Sequence, residues 1–410
     1  MPNTISTTEL VSNIALAKFV NNNSIVMTAN RGYENDFKMS EYRIGDTLNI
    51  RKQNHFIVGD GRVGNVQPIN EAVTPITISH QYNTLIEYSS RELTLAIDTN
   101  LDRFTERYID PAVQEIIHQL ETDALLQMVN QLNFATGAVA SPINSFASVE
   151  LAGVKMLEQG MPILDNAYMA LSIRDASALK SSLQNSFNDT LNDDISFRSA
   201  LGRLSYFDIF QNQAIPVHTT GTQAGTILVN GAVSSGNTIV LDGATASAVG
   251  VVKQGDVVFF PGVNSLNPVG RKNTGQLMQF VVLADANADG AGNVTITVDP
   301  EIISDPSNSR QNVSIPIPDN APLSILGVSS PGTAVSYNVN VAYCTRGVDL
   351  VCPPMERLDI PECYVKTDTD ANISIRISKQ GDVINDVNVL RLDVLCGTAW
   401  HNEYAVKLIS

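Results

Sequence analysis

The segment Gly59-Asp60-Gly61-Arg62-Val63-Gly64 matches G-x-G-x-x-G, the pattern in which glycines let a backbone approach a pyrophosphate seated on the N-terminus of the next helix. Strand-like Phe56-Ile57-Val58 precedes it, but Asn65-Val66-Gln67-Pro68-Ile69 follows, with a proline and no helical period. The glycines are therefore read as a hairpin tip turning at Asp60-Gly61. A second pattern, Asp285-Ala286-Asn287-Ala288-Asp289-Gly290, matches the first half of a calcium loop, where alternating oxygens and a glycine wrap the ion. Its twelfth position is Ile296, so the bidentate carboxylate is missing, and strand-like residues flank it. A surface turn is the reading, with a weak calcium site as the alternative.

His55, His80, His118, His218 and His401 are scattered without H-x-x-x-H spacing, and the chain has no G-x-S-x-G elbow. Each histidine reads as a surface or interfacial polar residue. Cys344, Cys352, Cys363 and Cys396 show no C-x-x-C spacing, so they are expected as reduced, partly buried thiols. No catalytic residue, cofactor or metal ligand is assigned.

The elements around these residues are more informative. Arg43 to Ile78 reads as a long β-hairpin arm: Leu48 and Ile50 alternate with Thr47, Asn49 and Arg51, and beyond the tip Ile76, Ile78, His80 and Tyr82 alternate with Thr77, Ser79, Gln81 and Asn83. Isolated hairpins are marginal in water, so such an arm implies a neighbour to lie on and encloses no core of its own. It concentrates Arg43, Arg51, Lys52 and Arg62 in an otherwise acidic chain. Two readings fit: solubilising charge on an exposed edge, or steering toward an acidic patch on an identical neighbour.

An amphipathic helix is expected around Leu10, Ile14, Ala17 and Val20. Leu93 to Asp98 leads into one continuous apolar stripe of Leu101, Phe104, Tyr108, Ala112, Ile116, Leu120, Ala124 and Met128. Asp110-Pro111 restarts that helix with a bend. From Ser148 to Gln213, helical patterns (Leu151, Val154 and Leu157; then Ala176 to Leu183) alternate with short strands at 167–173 and 206–210. Between His218 and Pro322 helix signals vanish, and runs such as Thr226-Ile227-Leu228-Val229 mark an all-β insertion. Strands at 339–343, 373–377 and 389–395 complete the earlier α+β domain.

The 410 residues suffice for two or three domains. A net charge of -16 argues against a sequence-reading nucleic-acid binder, and 43% apolar residues exclude a disordered chain. The start lacks a secretory n- and h-region and no apolar run suits a membrane span, so a soluble, cytosolic chain without membrane contact is expected.

The order of elements resembles the major coat proteins of tailed phages, specifically the P-22-type coat family. Four places carry the resemblance. They are Gly45-Asp46-Thr47 with Ile50-Arg51-Lys52 and Asp60-Gly61; Leu93 to Asp98 followed by Arg107-Tyr108-Ile109-Asp110-Pro111-Ala112; Asn340-Val341-Ala342-Tyr343 with Pro353-Pro354; and Ile373-Ser374-Ile375-Arg376 with Leu390 to Gly397. The resemblance implies a Hong Kong 97-type capsid fold of α+β class. Its parts would be an N-terminal arm (1–35), an extended loop (36–80), a peripheral domain with the spine helix (81–147), an axial domain (148–217), an inserted β-barrel-like domain (218–322) and return strands (323–410). It further implies a non-enzymatic virion capsid protein, assembled in the host bacterial cytoplasm as pentamers and hexamers of itself. Scaffolding protein, portal protein, a decoration protein and non-specifically contacted packaged DNA are the expected partners. Arg43, Arg51, Lys52, Asp60, Arg62 and Glu71 become the candidate intersubunit contacts. Lys52 is also the loop residue a covalent cross-link would use, although the resembled branch is held without such bonds. A nanocompartment shell protein of the same fold and a carbohydrate-binding β protein are the alternatives.

Overall fold

In the computed structural model, residues 12–17, 28–31, 47–58, 60, 62, 66–67, 69, 71–89, 105–161, 166–183, 202–368 and 373–410 are described. The chain divides into two units. One comprises Met1–Ile50, Pro75–Ala124 and Val348–Ala399; the other comprises Arg51–Thr74, Leu125–Gly347 and Trp400–Ser410.

The first unit is built on a five-stranded sheet. Glu362–Asp368, Ile373–Asp382, Val387–Trp400 and Val348–Val351 lie side by side, and His80–Ser89 pairs antiparallel with Val387–Trp400 from Ser89↔Val387 to His80↔Cys396. Strict alternation in these strands turns Ile373, Ile375, Ile377, Leu390, Leu392 and Val394 into a buried core. The opposite parity carries a buried ion pair: Arg376 Nη2 lies 2.8 Å from Asp393 Oδ2, and Arg376 Nη1 donates to the Glu356 carbonyl at 2.9 Å.

Helix α1 (Asp110–Gln131) starts where Asp110-Pro111 predicts and follows a wider π-type turn at Thr105–Ile109. Ala112, Ile116, Leu120, Ala124 and Met128 of the expected stripe are buried, whereas Tyr108 is 46% exposed. The looser turn carries Tyr108 out of phase with the α-helical stripe. Leu101, Phe104 and the segment Leu93 to Asp98 lie outside the described residues, as do Leu10 and Val20; residues 12–17 are helical.

The second unit contains a seven-stranded mixed sheet. Its path runs Ala135–Gly137, Ala405–Ile409, Ser336–Cys344, Ala167–Leu171, Phe207–Gln211, Arg203–Leu204, with Val217–Thr219 paired to Ser336–Cys344. Helices α2 (Phe146–Glu158) and α3 (Ile173–Leu183) share a core with it. The parallel pair Ala167–Leu171 and Phe207–Gln211 is joined through α3, the crossover that parallel strands require. Ser145 caps α2, its Oγ accepting from Ser148 N–H at 3.1 Å.

The same unit holds a wholly antiparallel six-stranded sheet in the order Ser324–Ile325, Val257–Leu266, Asn273–Val282, Val294–Ile303, Ser235–Ala244, Gly225–Val229. It has its own core, with Phe260, Phe280, Ile239, Leu241 and Val313 fully enclosed. Among the described residues no helix falls between 219 and 344.

Candidate assembly surface

The arm begins as expected. Thr47–Arg51 and Val73–Thr77 form a two-stranded sheet, with Thr47 Oγ1 3.2 Å from Thr77 Oγ1 and one further bond from Lys52 N–H to the Ala72 carbonyl at 2.8 Å. The ladder then stops. Residues 52–58 form no strand, and the only described link farther out is the Gln67 side chain, which accepts from Ile57 N–H at 2.7 Å and donates to the Ile57 carbonyl at 2.5 Å. The expectation of a long hairpin is corrected to a short one. Glycines and Pro68 deprive the outer segment of ladder donors and of side chains that pack. Phe56, Val58, Val66 and Ile69 are left 62%, 94%, 100% and 67% exposed.

Two further corrections concern the inner part. Ile50 and Ile76 are buried together with Val351 and Ala399, Ile78 packing against them, so the base does enclose apolar surface. His80 and Tyr82 do not continue the arm: they stack on each other at 5.8 Å within the strand His80–Ser89 of the five-stranded sheet. Gln67→Ala should remove both bonds to Ile57 at a local cost of about 1 kcal/mol. The Ile57 amide should then exchange with solvent roughly fivefold faster.

The structure separates the candidate contact residues. Arg43 lies outside the described residues. Arg51 and Glu71 pair at 3.5 Å, with side chains 77% and 43% exposed; Asp60 and Arg62 are exposed. Lys52 turns inward, its Nζ 3.2 Å from Asn402 Oδ1 and 3.7 Å from Glu403. There it lines a cleft of about 510 Å³ with His55, Glu71, Asp299, Arg310 and Glu403. Burial in this cleft holds the Asp299 carboxyl above the usual carboxylate range, with Lys52 opposing. Burial likewise pushes the His55 imidazole down.

The motifs that suggested chemistry are used structurally. Asp285 Oδ1 accepts from Gln254 N–H at 2.8 Å, Asn287 Oδ1 from Gly250 N–H at 2.7 Å, and Asp289 Oδ1 from Ala291 and Asn293 N–H at 2.8 and 2.7 Å. The oxygens a cation would need are turned onto the chain's own backbone. Among the described residues no group of three or more His, Cys, Asp or Glu is arranged to hold a metal. The described residues after the glycine pattern, Val66, Gln67 and Ile69, are not helical. None of the four cysteines is in a disulfide, and all are buried.

His218 and His401 depart from the surface reading, since both are buried. His218 Nε2 lies 2.8 Å from Asp256 Oδ1, and the ring meets Tyr337 edge-on at 5.6 Å. The carboxylate of Asp256 also accepts from Gly221 and Lys253 N–H. Lys407, likewise buried, donates from Nζ to the Val129 carbonyl at 2.6 Å.

Apolar side chains are also left exposed on α2. Leu151, Val154 and Leu157 face outward from α2 at 50%, 41% and 50% exposure, while Val149, Ala152, Gly153 and Met156 are its buried side. The signal lay in the small residues: an added Cβ at Gly153 would meet the Tyr206 ring at 2.9 Å, so this is the face of close approach. A second apolar feature is the turn after Asp382, where Val383 and Ile384 are almost fully exposed.

A family profile described as P22 coat protein, gene protein 5, matches residues 65–408. No curated protein sequence matches the chain. Among solved structures, one from Mycobacterium phage Che8 aligns at 10% identity over 94% of this chain and 90% of that one, TM-score 0.48. The capsid of Ralstonia phage GP4 aligns at 8% identity over 89% and 83%, TM-score 0.43. The CUS-3 coat protein I-domain aligns at 24% identity over 26% of this chain and 98% of that one, TM-score 0.19.

Proposed function

The chain belongs to the P22 coat protein family and is a major capsid protein of a tailed bacteriophage, from which we propose that it closes, with scaffolding protein and portal, into the icosahedral shell around packaged DNA. Its role is structural and non-enzymatic. Assembly takes place in the host cytoplasm, and one chain makes both five-fold and six-fold contacts. The single observation that carries this reading is the family match over residues 65–408. Under it the chain takes the Hong Kong 97 capsid fold, with arm, extended loop, peripheral, axial, inserted and return segments bounded at 35, 80, 147, 217 and 322.

Physical features support the same reading. Rings of identical subunits are heterologous interfaces that close. Because the same interface serves two ring sizes, its contacts should be numerous and individually weak. The net charge of -16 suits a wall past which DNA must move without sticking. On the arm, Arg51 and Arg62 are the outward cations and the contacts we assign to an acidic patch of an adjacent copy. Lys52, held by Glu403 and Asn402 of its own chain, serves the subunit itself.

Negative-stain electron microscopy of the purified chain, alone and co-expressed with a candidate scaffolding protein, tests the reading. Closed shells are expected. Stable monomers under every condition would overturn it, and shells that form alone and load an enzyme would favour a nanocompartment instead. Arg51→Glu with Arg62→Glu should lower shell yield while leaving the subunit's melting temperature unchanged. Undiminished yield would remove the arm's charges from the assembly contact.

A further inference from the structure

The strands Ile373–Asp382 and Val387–Trp400 form a hairpin, Asp382 opposite Val387. Its tip holds two aliphatic side chains in water, Val383 at 95% and Ile384 at 93% exposure. The tip is ordered by its own bonds: Ile384 N–H donates to Asp382 Oδ1 at 2.8 Å and Asn385 Nδ2 to Asp382 Oδ2 at 2.6 Å. Asp386 closes the turn at φ 56°. Those bonds, the Asn385 side chain first, hold the Asp382 carboxyl below the usual carboxylate range, so the tip is anionic. An ordered turn that displays two apolar side chains loses little further freedom on docking.

At the base of the tip the sheet carries an open groove of about 640 Å³, lined by Leu85, Leu358, Ile360, Val389 and Arg391 and walled on one side by the tip's own Asp382 to Ile384. Leu85, Arg391 and Ser378 stand in one row across three adjacent strands. Leu85 is 57% and Leu358 43% exposed. Arg391 Nε is bound to Asp393 at 2.8 Å, and its side chain remains 36% exposed. One end of this unit therefore displays both an acid-flanked aliphatic projection and an apolar groove with a cation in it. Contiguous apolar surface of this kind marks an interaction site.

We propose that the Val383–Ile384 tip of one copy seats in the Leu85–Leu358–Val389 groove of a second copy of this chain, with Asp382 and Asp386 of the tip facing Arg391 of the groove. This rests on the coat reading, which brings copies of the chain into contact. Since tip and groove adjoin, a two-fold arrangement lets each copy give its tip and receive the other's, an isologous contact.

Shells assembled from an equal mixture of Ile384→Cys and Leu85→Cys chains test the contact, because any bond between the new thiols then joins two copies. The four natural cysteines are buried, which keeps the background low. Mild oxidation should give chain dimers on a non-reducing gel well above those from shells of either variant alone. Val383→Asp with Ile384→Asp should cut shell yield about tenfold, a loss near 1.4 kcal/mol, with subunit melting unchanged. Mixed shells without excess dimers overturn the proposal whatever their yield. Failure of the unmodified chain to form any shell counts instead against the coat reading.

Discussion

Asp256→Ala is expected to destabilise the second unit by about 3–5 kcal/mol, the loss typical of breaking a buried, hydrogen-bonded ionic group. Asp256 is fully buried. Its Oδ2 accepts from Gly221 N–H at 2.9 Å and Lys253 N–H at 2.8 Å, while Oδ1 lies 2.8 Å from His218 Nε2. Alanine would leave two backbone N–H groups and an imidazole without that partner, each paying a desolvation penalty. Relaxation is restricted because an added Cβ at Gly221 would stand 2.4 Å from the Val251 carbonyl oxygen, so the backbone at Gly221 and Val251 is already in closest approach. Asp256→Asn should cost less, since its single carbonyl still accepts. Thermal unfolding of the soluble subunit should show a drop in Tm on the order of 10 °C for alanine. An unchanged Tm would mean that the three donors find other acceptors.

The strands of both units were legible in the sequence, and this carboxylate was not. Runs such as Val294 to Val298 and Ile373 to Ile377 alternate β-branched residues between turn residues, and they are strands in the fold. Their signal is local, two residues long, and survives any tertiary context that buries one face. Asp256 sits in Gln254-Gly255-Asp256, which reads as an ordinary turn, and its partners His218 and Gly221 lie 38 and 35 positions away. Only pairing across the fold brings those residues together.

The same distinction accounts for the helices and the arm. Helix α1 buries the residues its apolar stripe marks because that stripe is broad and continuous. In α2 the apolar residues occupy both sides, and the buried side was decided by Gly153 and Ala152, which permit close approach, rather than by the larger Leu151 and Leu157. On the arm, alternation runs past Ile78 into His80 and Tyr82, but periodicity of two cannot say which partner a strand chooses. Residues 80–89 pair with 387–396. Charge was likewise visible without its direction. Lys52 and Arg62 look equivalent in sequence, yet one is held by Glu403 and the other faces solvent.

Lys407 carries the expected result with the clearest pH signature. Its side chain is 2% exposed in the strand Ala405–Ile409, between Val341 and Ala135 on the neighbouring strands. Burial pushes its ammonium down to about 7 from 10.5, with Asp256 opposing the shift. Below pH 7 the lysine is charged in both folded and unfolded chains, and the folded state bears the whole desolvation cost, about 5 kcal/mol at 1.36 kcal/mol per unit. Between pH 7 and about 10.5 the unfolded chain binds the extra proton, so stability rises with pH across that window. Lys407→Met removes this cost together with the bonds to the Val129 and Gly255 carbonyls, which offset it by about 1 kcal/mol each. The methionine variant should therefore melt higher than the natural chain at pH 6, and its advantage should shrink steadily and vanish or reverse near pH 10. A melting difference that stays constant from pH 6 to 10 would show that the buried amine does not titrate in this range, and that Asp256 holds it charged throughout.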